Sequence, residues 1–276
     1  MGMRLGILGY PLAHTKSPAM QKAGLDYLGI EGEYQKYEAD PVNFSRELSR
    51  LLTSLNGFNV TIPYKEKVVK YLNNRNPLVE RIGATNTVVV NEGIITGYNT
   101  DYYGFKTSLQ NVAGDSLKGK NVSLIGAGGA AKAVLAALED LEVEQINIYV
   151  RNLQKVKTSL KKLNNLVVNV ALLDEEVNFA NTDLLINSTP VGQGRLSTSM
   201  PIDVEQVLSL PEHAIVYDLI YEDTLLLQEA QRHKLKTING SKMLILQGAK
   251  ALSLWTGQKV TDGLVEAMSS AFYAAA

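Results

Sequence analysis

The sequence predicts an α/β fold in two domains, each built around a mostly parallel sheet. Short β-branched runs bounded by Gly, Pro and Asn alternate with longer stretches of helical periodicity, the pattern of strand, crossover helix and parallel strand. A polar, glycine-containing stretch, AGDSLKGK at 113–120, interrupts that alternation and reads as a connection. The length, 276 residues, exceeds the roughly 150 typical of one domain.

In the first domain strands are expected near 3–8, 33–38, 58–62 and 86–90, with helices near 18–28, 42–55 and 64–72. Ser17 followed by Pro18 reads as an N-cap with proline at the first helical position. Pro63 reads as the start of the 64–72 helix, which sets Lys65 in its first turn. A cation there opposes the helix dipole by about 0.3–1 kcal/mol. A helix from 101 to about 111 begins at Asp101, a favourable first-turn acid. The second domain is expected to hold strands near 121–125, 146–150, 166–170, 183–187, 214–219 and 235–238, with helices after the first, second and fifth, and resembles a Rossmann unit. Two helical stretches, 241–256 and 262–275, close the chain and are able to cap either domain.

The charge balance, 27 Lys+Arg against 28 Asp+Glu, leaves no global basic field for nucleic acid or an anionic membrane. With no cysteine there is no disulfide, thiolate nucleophile or Cys-ligated metal, and His14, His213 and His233 lack metal-ligand spacing. No metal is expected. The longest apolar stretch, 122–138, is interrupted by Lys132 and rich in Gly and Ala, which argues against a membrane span. The N-terminal apolar run is too short for a signal-peptide core, so a cytoplasmic location is expected.

The strongest motif is NVSLIGAGGAAKAVLAAL, a strand entering Gly126, Ala127, Gly128, Gly129, Ala130 and Ala131 and then a helix. This is G-x-G-x-x-A in its structural context. The first glycine permits the tight turn, the second lets backbone approach a pyrophosphate, and the helix N-terminus supplies amide donors. A tight strand-to-helix turn without ligand is the alternative. At the end of the next strand an NAD site expects an acid. Arg151 stands there instead, with Asn152 and Lys155 behind it. A guanidinium suits a 2′-phosphate, which favours NADP over NAD.

Other motifs are less specific. GYPLAHTKSPAM places the hydroxyls of Thr15 and Ser17 at the mouth of the first strand, where open α/β sheets bind ligands. IGATNTVVV and GYNTDYYGF each set Asn and Thr beside a strand end, and Gln247 sits in an apolar helix stripe with Met243, Leu244 and Ala251. A buried amide there needs a partner, either a hydroxylated ligand or a backbone carbonyl. Lys65, judged alone, reads as a solvated lysine.

In their order, from Gly9 to Gly257, the motifs GYPLAHTKSP, NVTIPYKE, GATNTVV, GYNTDYYG, GAGGAAKAV, INSTPVGQ, YDLIY, TINGSKML and LQGAKALSLWTG resemble those of the shikimate dehydrogenase family. The resemblance implies reversible reduction of 3-dehydroshikimate to shikimate with NADPH, on the route to chorismate and the aromatic amino acids. It makes Lys65 a general acid/base oriented by Asp101, and makes Thr15, Ser17, Thr61, Asn86, Tyr221 and Gln247 substrate contacts. It assigns the cofactor to Gly126, Ala127, Gly128, Gly129, Ala130, Arg151, Asn152, Thr189, Leu219 and Gly240. It also implies a discontinuous substrate domain, 1–101 plus 240–276, a cofactor domain, 102–239, a cleft between them, and a monomer or homodimer acting on a small molecule.

The sequence departs from the family pattern at several places. Thr15 replaces a serine, Asn152 a threonine and Lys242 a small residue, and the segment after Tyr221 is shorter and lacks a proline. A quinate/shikimate dehydrogenase, an NAD-using paralogue and a non-catalytic dinucleotide sensor are the alternative readings.

Overall fold

The computed structural model describes residues 2–13, 15–114, 117–155 and 167–275. Two units are distinguished, one of Met1–Gly104 with Ile245–Ala276 and one of Phe105–Leu244.

The first unit begins with strand β1 (Met3–Gly9), helix α1 (Ser17–Tyr27), β2 (Gly32–Glu38), α2 (Phe44–Ser54) and β3 (Gly57–Val60). Both β2 and β3 pair parallel with β1, which therefore lies inside the sheet and is buried from Leu5 to Gly9. Helix α2 presents Phe44, Leu48 and Leu51 on one face, spaced by four and three residues as an amphipathic helix requires. With Leu8, Phe58, Val60, Tyr64 and Val68 they form the unit's core. Each fully buried side chain of this kind contributes about 1.5–3 kcal/mol.

Two expectations for this half change. The helix anticipated over 64–72 is a short 3-10 turn, Lys67–Tyr71. Tyr64 explains this: it is fully buried, stacks on Phe44 at 4.2 Å and donates its hydroxyl to the Ala39 carbonyl at 2.5 Å. Those contacts hold the strand end in a turn, so Lys65 opposes no α-helix dipole. Lys16, not Ser17, is the N-cap of α1, which leaves the Ser17 hydroxyl without a capping role.

The sheet continues through β4 (Asn74–Arg75), β5 (Thr87–Asn91) and β6 (Ile94–Tyr98), with helix α3 (Pro77–Ile82) between β4 and β5. The strand order is β2-β1-β3-β5-β6-β4, and β5 runs antiparallel to β3 and β6, so the sheet is mixed. The β5–β6 hairpin closes on Glu92 and Gly93, at φ 50° and 78°, the two left-handed residues of a primed turn. Helix α3 is delimited by an Asn76 cap on the Leu78 N–H, Pro77 in its first turn and left-handed Gly83 after its end. Helix α4 (Thr100–Ala113) follows and carries the chain into the second unit.

The second unit holds β7 (Asn121–Ile125), α5 (Gly129–Glu139), β8 (Gln145–Val150), β9 (Val167–Leu172), β10 (Leu184–Asn187), α6 (Val204–Leu208), β11 (Ile215–Asp218), α7 (Leu225–Arg232) and β12 (Lys236–Ile238). Its order, β12-β11-β10-β7-β8-β9, is parallel throughout and reverses between β7 and β10, the doubly wound topology. The helix expected after β8 falls, beyond Lys155, outside the described residues. Helix α6, not anticipated, starts on a capping box in which Asp203 and Gln206 satisfy each other's backbone N–H groups.

Helix α8 (Ser241–Thr256) returns the chain to the first unit, and α9 (Asp262–Ala274) ends it, capped by the Thr261 side chain on the Leu264 N–H. Among the described residues no helix is long and apolar enough to cross a membrane. Gly24 lets α1 approach α8 and α9: a Cβ there would stand 2.5 Å from Leu252 Cδ2 and 3.1 Å from Met268 Sδ.

Candidate active site and dinucleotide pocket

In the first unit Lys65, in the turn after β3, meets Asp101, in the first turn of α4. Lys65 Nζ lies 2.6 Å from Asp101 Oδ2, with the side chains 15% and 8% exposed. The other carboxylate oxygen accepts from Asn86 Nδ2 at 2.8 Å. Asn86 immediately precedes β5, and its orientation is fixed by its Oδ1, which accepts from the Thr100 backbone N–H at 2.7 Å. Its Nδ2 also lies within reach of Thr100 Oγ1 at 3.0 Å and Gln247 Oε1 at 3.2 Å. Three acceptors compete for two hydrogens, so one of these contacts yields when another partner arrives. Lys65, Asn86, Asp101 and Gln247, drawn from four separated motifs, thus form one cluster.

A second group lies at the start of α1. Thr15 Oγ1 donates to Ser17 Oγ at 3.1 Å and accepts from the Ser17 N–H at 3.3 Å. Ser17 also hydrogen-bonds the buried Tyr34 hydroxyl, whose titration burial pushes well up, keeping it a neutral donor. Tyr34 donates to Asn59 Oδ1 at 2.7 Å, and Asn59 Nδ2 reaches Thr87 Oγ1 and the Asn86 carbonyl, each at 3.1 Å. A buried polar chain therefore runs from Ser17 to the Asn86 cluster. Asn59 and Tyr34 were not singled out from the sequence; an asparagine inside the otherwise apolar strand GFNV is the signal that marks Asn59. Thr61 belongs to the β3 end, where its N–H donates to the Leu8 carbonyl at 2.9 Å and its methyl fills the space a Cβ on Gly9 would take.

In the second unit, the C-terminal ends of β7, β8 and β10 enclose a cavity of about 520 Å³ lined by Gly126, Ala127, Gly128, Arg151, Asn152, Thr189 and neighbours. Gly126 is left-handed, φ 97°, and a Cβ there would lie 2.8 Å from both Ser188 Oγ and Thr189 Cγ2. At Gly128 a Cβ would meet nothing within 4 Å, so the backbone faces open space. Gly128 caps α5 without a side-chain hydrogen bond, and Gly129 and Ala130 form its first turn, leaving the leading N–H groups for an anion. These features fit a dinucleotide pyrophosphate. Arg151 and Asn152 are both exposed at the cavity rim, with Asn152 Oδ1 accepting from the Gln154 N–H at 3.0 Å.

Gly129 and Ala130, in the first turn of α5, are not among this cavity's lining residues, and Leu219, Gly240 and Tyr221 also stand apart from it. Gly240 abuts Leu219, whose carbonyl oxygen lies 2.0 Å from where a Gly240 Cβ would be, so only glycine fits. Tyr221 follows β11 and is partly buried; that burial, with the Glu222 charge, raises its phenol's pKa, and Gln193 hydrogen-bonds it. Beside them Asp218, fully buried at the end of β11, has its pKa pushed up to about 6 by burial, although Asn187, Ile220 and Thr224 all donate to it.

Residues 7–88 match a family described as shikimate dehydrogenase substrate binding domain, and 108–219 one described as shikimate / quinate 5-dehydrogenase. A shikimate dehydrogenase (NADP(+)) of Symbiobacterium thermophilum is 37% identical, covering 99% of this chain and 95% of its own. One of Thermosynechococcus vestitus is 38% identical, covering 95% and 92%. The crystal structure of shikimate 5-dehydrogenase from Thermus thermophilus in complex with NADP(H) and shikimate matches at TM-score 0.83 and 34% identity, covering 98% of this chain and 99% of that one.

Proposed function

The chain belongs to the shikimate dehydrogenase family, and we propose that Lys65 and Asp101 are its catalytic pair. The activity is that of an NADP-dependent oxidoreductase acting on a CH–OH group, interconverting 3-dehydroshikimate and shikimate. The 2.6 Å contact of Lys65 with Asp101, backed by Asn86 and Gln247, carries the assignment of roles.

NADPH, when bound, supplies the hydride. As the substrate carbonyl becomes an alkoxide, Lys65 Nζ donates a proton to that oxygen, and in the reverse direction it takes the proton back. A positioned ammonium is worth most where charge develops, because it costs no reorganisation at the moment of reaction. Asp101 orients the ammonium through Oδ2. Its Oδ1, Asn86 and Gln247 form hydrogen-bonding groups suited to ring hydroxyls, and the adaptable third contact of Asn86 is the one a substrate hydroxyl would displace. Thr15, Ser17 and Thr61 offer further hydroxyls in the same unit. The first unit is the substrate-binding one in this reading. The second holds the dinucleotide through Gly126 to Ala130, Arg151, Asn152 and Thr189, with Leu219 and Gly240 beside them.

Arg151, standing at the end of β8 where an NAD site expects an acid, supports NADP over NAD. In this reading the enzyme is cytoplasmic and a monomer or homodimer, and the near-neutral charge supports the absence of a nucleic-acid partner. Turnover with shikimate or quinate and NADP⁺ or NAD⁺, followed at the nicotinamide absorbance band, tests the assignment. Shikimate with NADP⁺ is expected to give the highest kcat/KM, and Arg151→Ala to raise KM for NADP⁺ about tenfold or more while leaving that for NAD⁺ near its original value. Preference for NAD⁺ and quinate would overturn it.

A further inference from the structure

Asp218 is a fully buried carboxylate that the proton transfer at Lys65 does not use. Its Oδ1 accepts from Asn187 Nδ2 at 3.1 Å and from the Ile220 N–H at 3.0 Å, and its Oδ2 accepts from Thr224 Oγ1 at 2.8 Å. Asn187, also fully buried, ends β10. Its Nδ2 donates to the Val191 carbonyl at 3.1 Å, and its Oδ1 accepts from the Thr189 N–H at 3.0 Å and from Thr189 Oγ1 at 2.7 Å. Ser188, Thr189, Pro190 and Val191 line the cofactor cavity.

The chemistry of these partners fixes each orientation. An ionised carboxylate only accepts, and so does a backbone carbonyl, so the amide nitrogen of Asn187 must face Asp218 and Val191. Its oxygen must then face Thr189, whose hydroxyl proton is thereby committed to Asn187. Thr189 Oγ1 accepts from the Val191 N–H at 3.2 Å. What remains on that oxygen is a lone pair.

We propose that Asp218 is a positioning residue for the dinucleotide: through Asn187 it holds the Thr189 hydroxyl as an acceptor, so Thr189 takes a hydroxyl or amide N–H of the cofactor and not a phosphate oxygen. An acceptor facing a phosphate would set two oxygens against each other, whereas a ribose hydroxyl or the carboxamide N–H₂ completes the chain. The proposal rests on the second unit's being the cofactor site.

The test is NADPH binding, followed by fluorescence of the reduced nicotinamide, in wild type, Asp218→Asn, Thr189→Val and the double variant. With Asn at 218 an uncharged amide replaces the carboxylate that faces Asn187 Nδ2, which weakens the hold that Asp218 exerts, together with the Val191 carbonyl, on the Asn187 orientation. Both single variants should bind NADPH about tenfold more weakly, with KM for shikimate within about twofold of wild type. The double variant should bind no more weakly than either single one, because both remove the same contact. Additive losses, or unchanged NADPH affinity in a folded Asp218→Asn protein, would overturn the positioning role. Thr189→Val, on a partly buried rim residue, keeps the question open to measurement should Asp218→Asn not fold: wild-type affinity in Thr189→Val alone rejects the contact. Failure of wild-type protein to bind NADPH would instead reject the cofactor site itself.

Discussion

At the scale of single residues, local chemistry makes Lys65 and Asp101 look ordinary. Lys65 follows a proline and Asp101 opens a helix, and both positions have commonplace explanations. Only the order of several motifs along the chain singles them out, and folding brings Lys65 and Asp101 within 2.6 Å, with Asn86 on the free oxygen. Tyr34 lay beyond sequence reasoning, because its importance comes from its side-chain contact with Asn59, 25 residues along the chain, and Asn59 is marked only as a polar residue in an apolar strand. Asp218 was equally hidden, since its environment is made by β10 and α7. Its raised pKa gives a definite sign. Between its ordinary value of 3.8 and its folded value of about 6, the folded state keeps a proton that the unfolded chain has released. Its contribution to stability is therefore fully present below the ordinary value and is lost as pH rises through about 6, by up to about 3 kcal/mol. Denaturant unfolding of wild type and Asp218→Asn between pH 4 and 7 should show this fall in wild type and its loss in the variant. Parallel pH profiles would show that Asp218 titrates normally.

Elements were legible where periodicity and caps agree. Helix α8 occupies the 241–256 span its pattern predicts, and β7, with the glycine loop and α5, follows from one motif. Strand β4, two residues long, has no periodicity to read, and α3, six residues long, is too short to show a helical period although Asn76, Pro77 and Gly83 all mark its ends. The segment 64–72 shows the reverse case, a helical pattern overridden by the burial of Tyr64. Helix α2 gives a stability test of its amphipathic face. Leu48 is fully buried in the first unit's core, and Leu48→Ala should destabilise that unit by about 2–5 kcal/mol in denaturant unfolding. A change below about 1 kcal/mol would mean the α2 face packs less tightly than its burial indicates.

At the scale of the whole molecule, the near-zero charge that argued against nucleic acid conceals local placement of charge. Arg151 stands at the rim of the cavity in one unit, while Lys65 is matched by Asp101 in the other. Each unit has its own buried core, the first around Phe58 and Leu48, the second around Phe179 and Val216. The doubly wound order of the second sheet follows from alternating strands and helices. The mixed order of the first does not, since the β5–β6 hairpin reverses direction through a two-residue turn. Substrate chemistry was legible only through the family's motifs, because a cluster of hydroxyls, amides and one ion pair has no signature in composition. The role of Lys65 is tested most directly by oxidation of shikimate with NADP⁺ in folded Lys65→Ala, followed at the nicotinamide absorbance band. A fall in kcat of about 10²–10⁴-fold with KM changed only a few-fold is the expected result. A kcat near that of wild type would contradict the assignment of Lys65 as the proton donor.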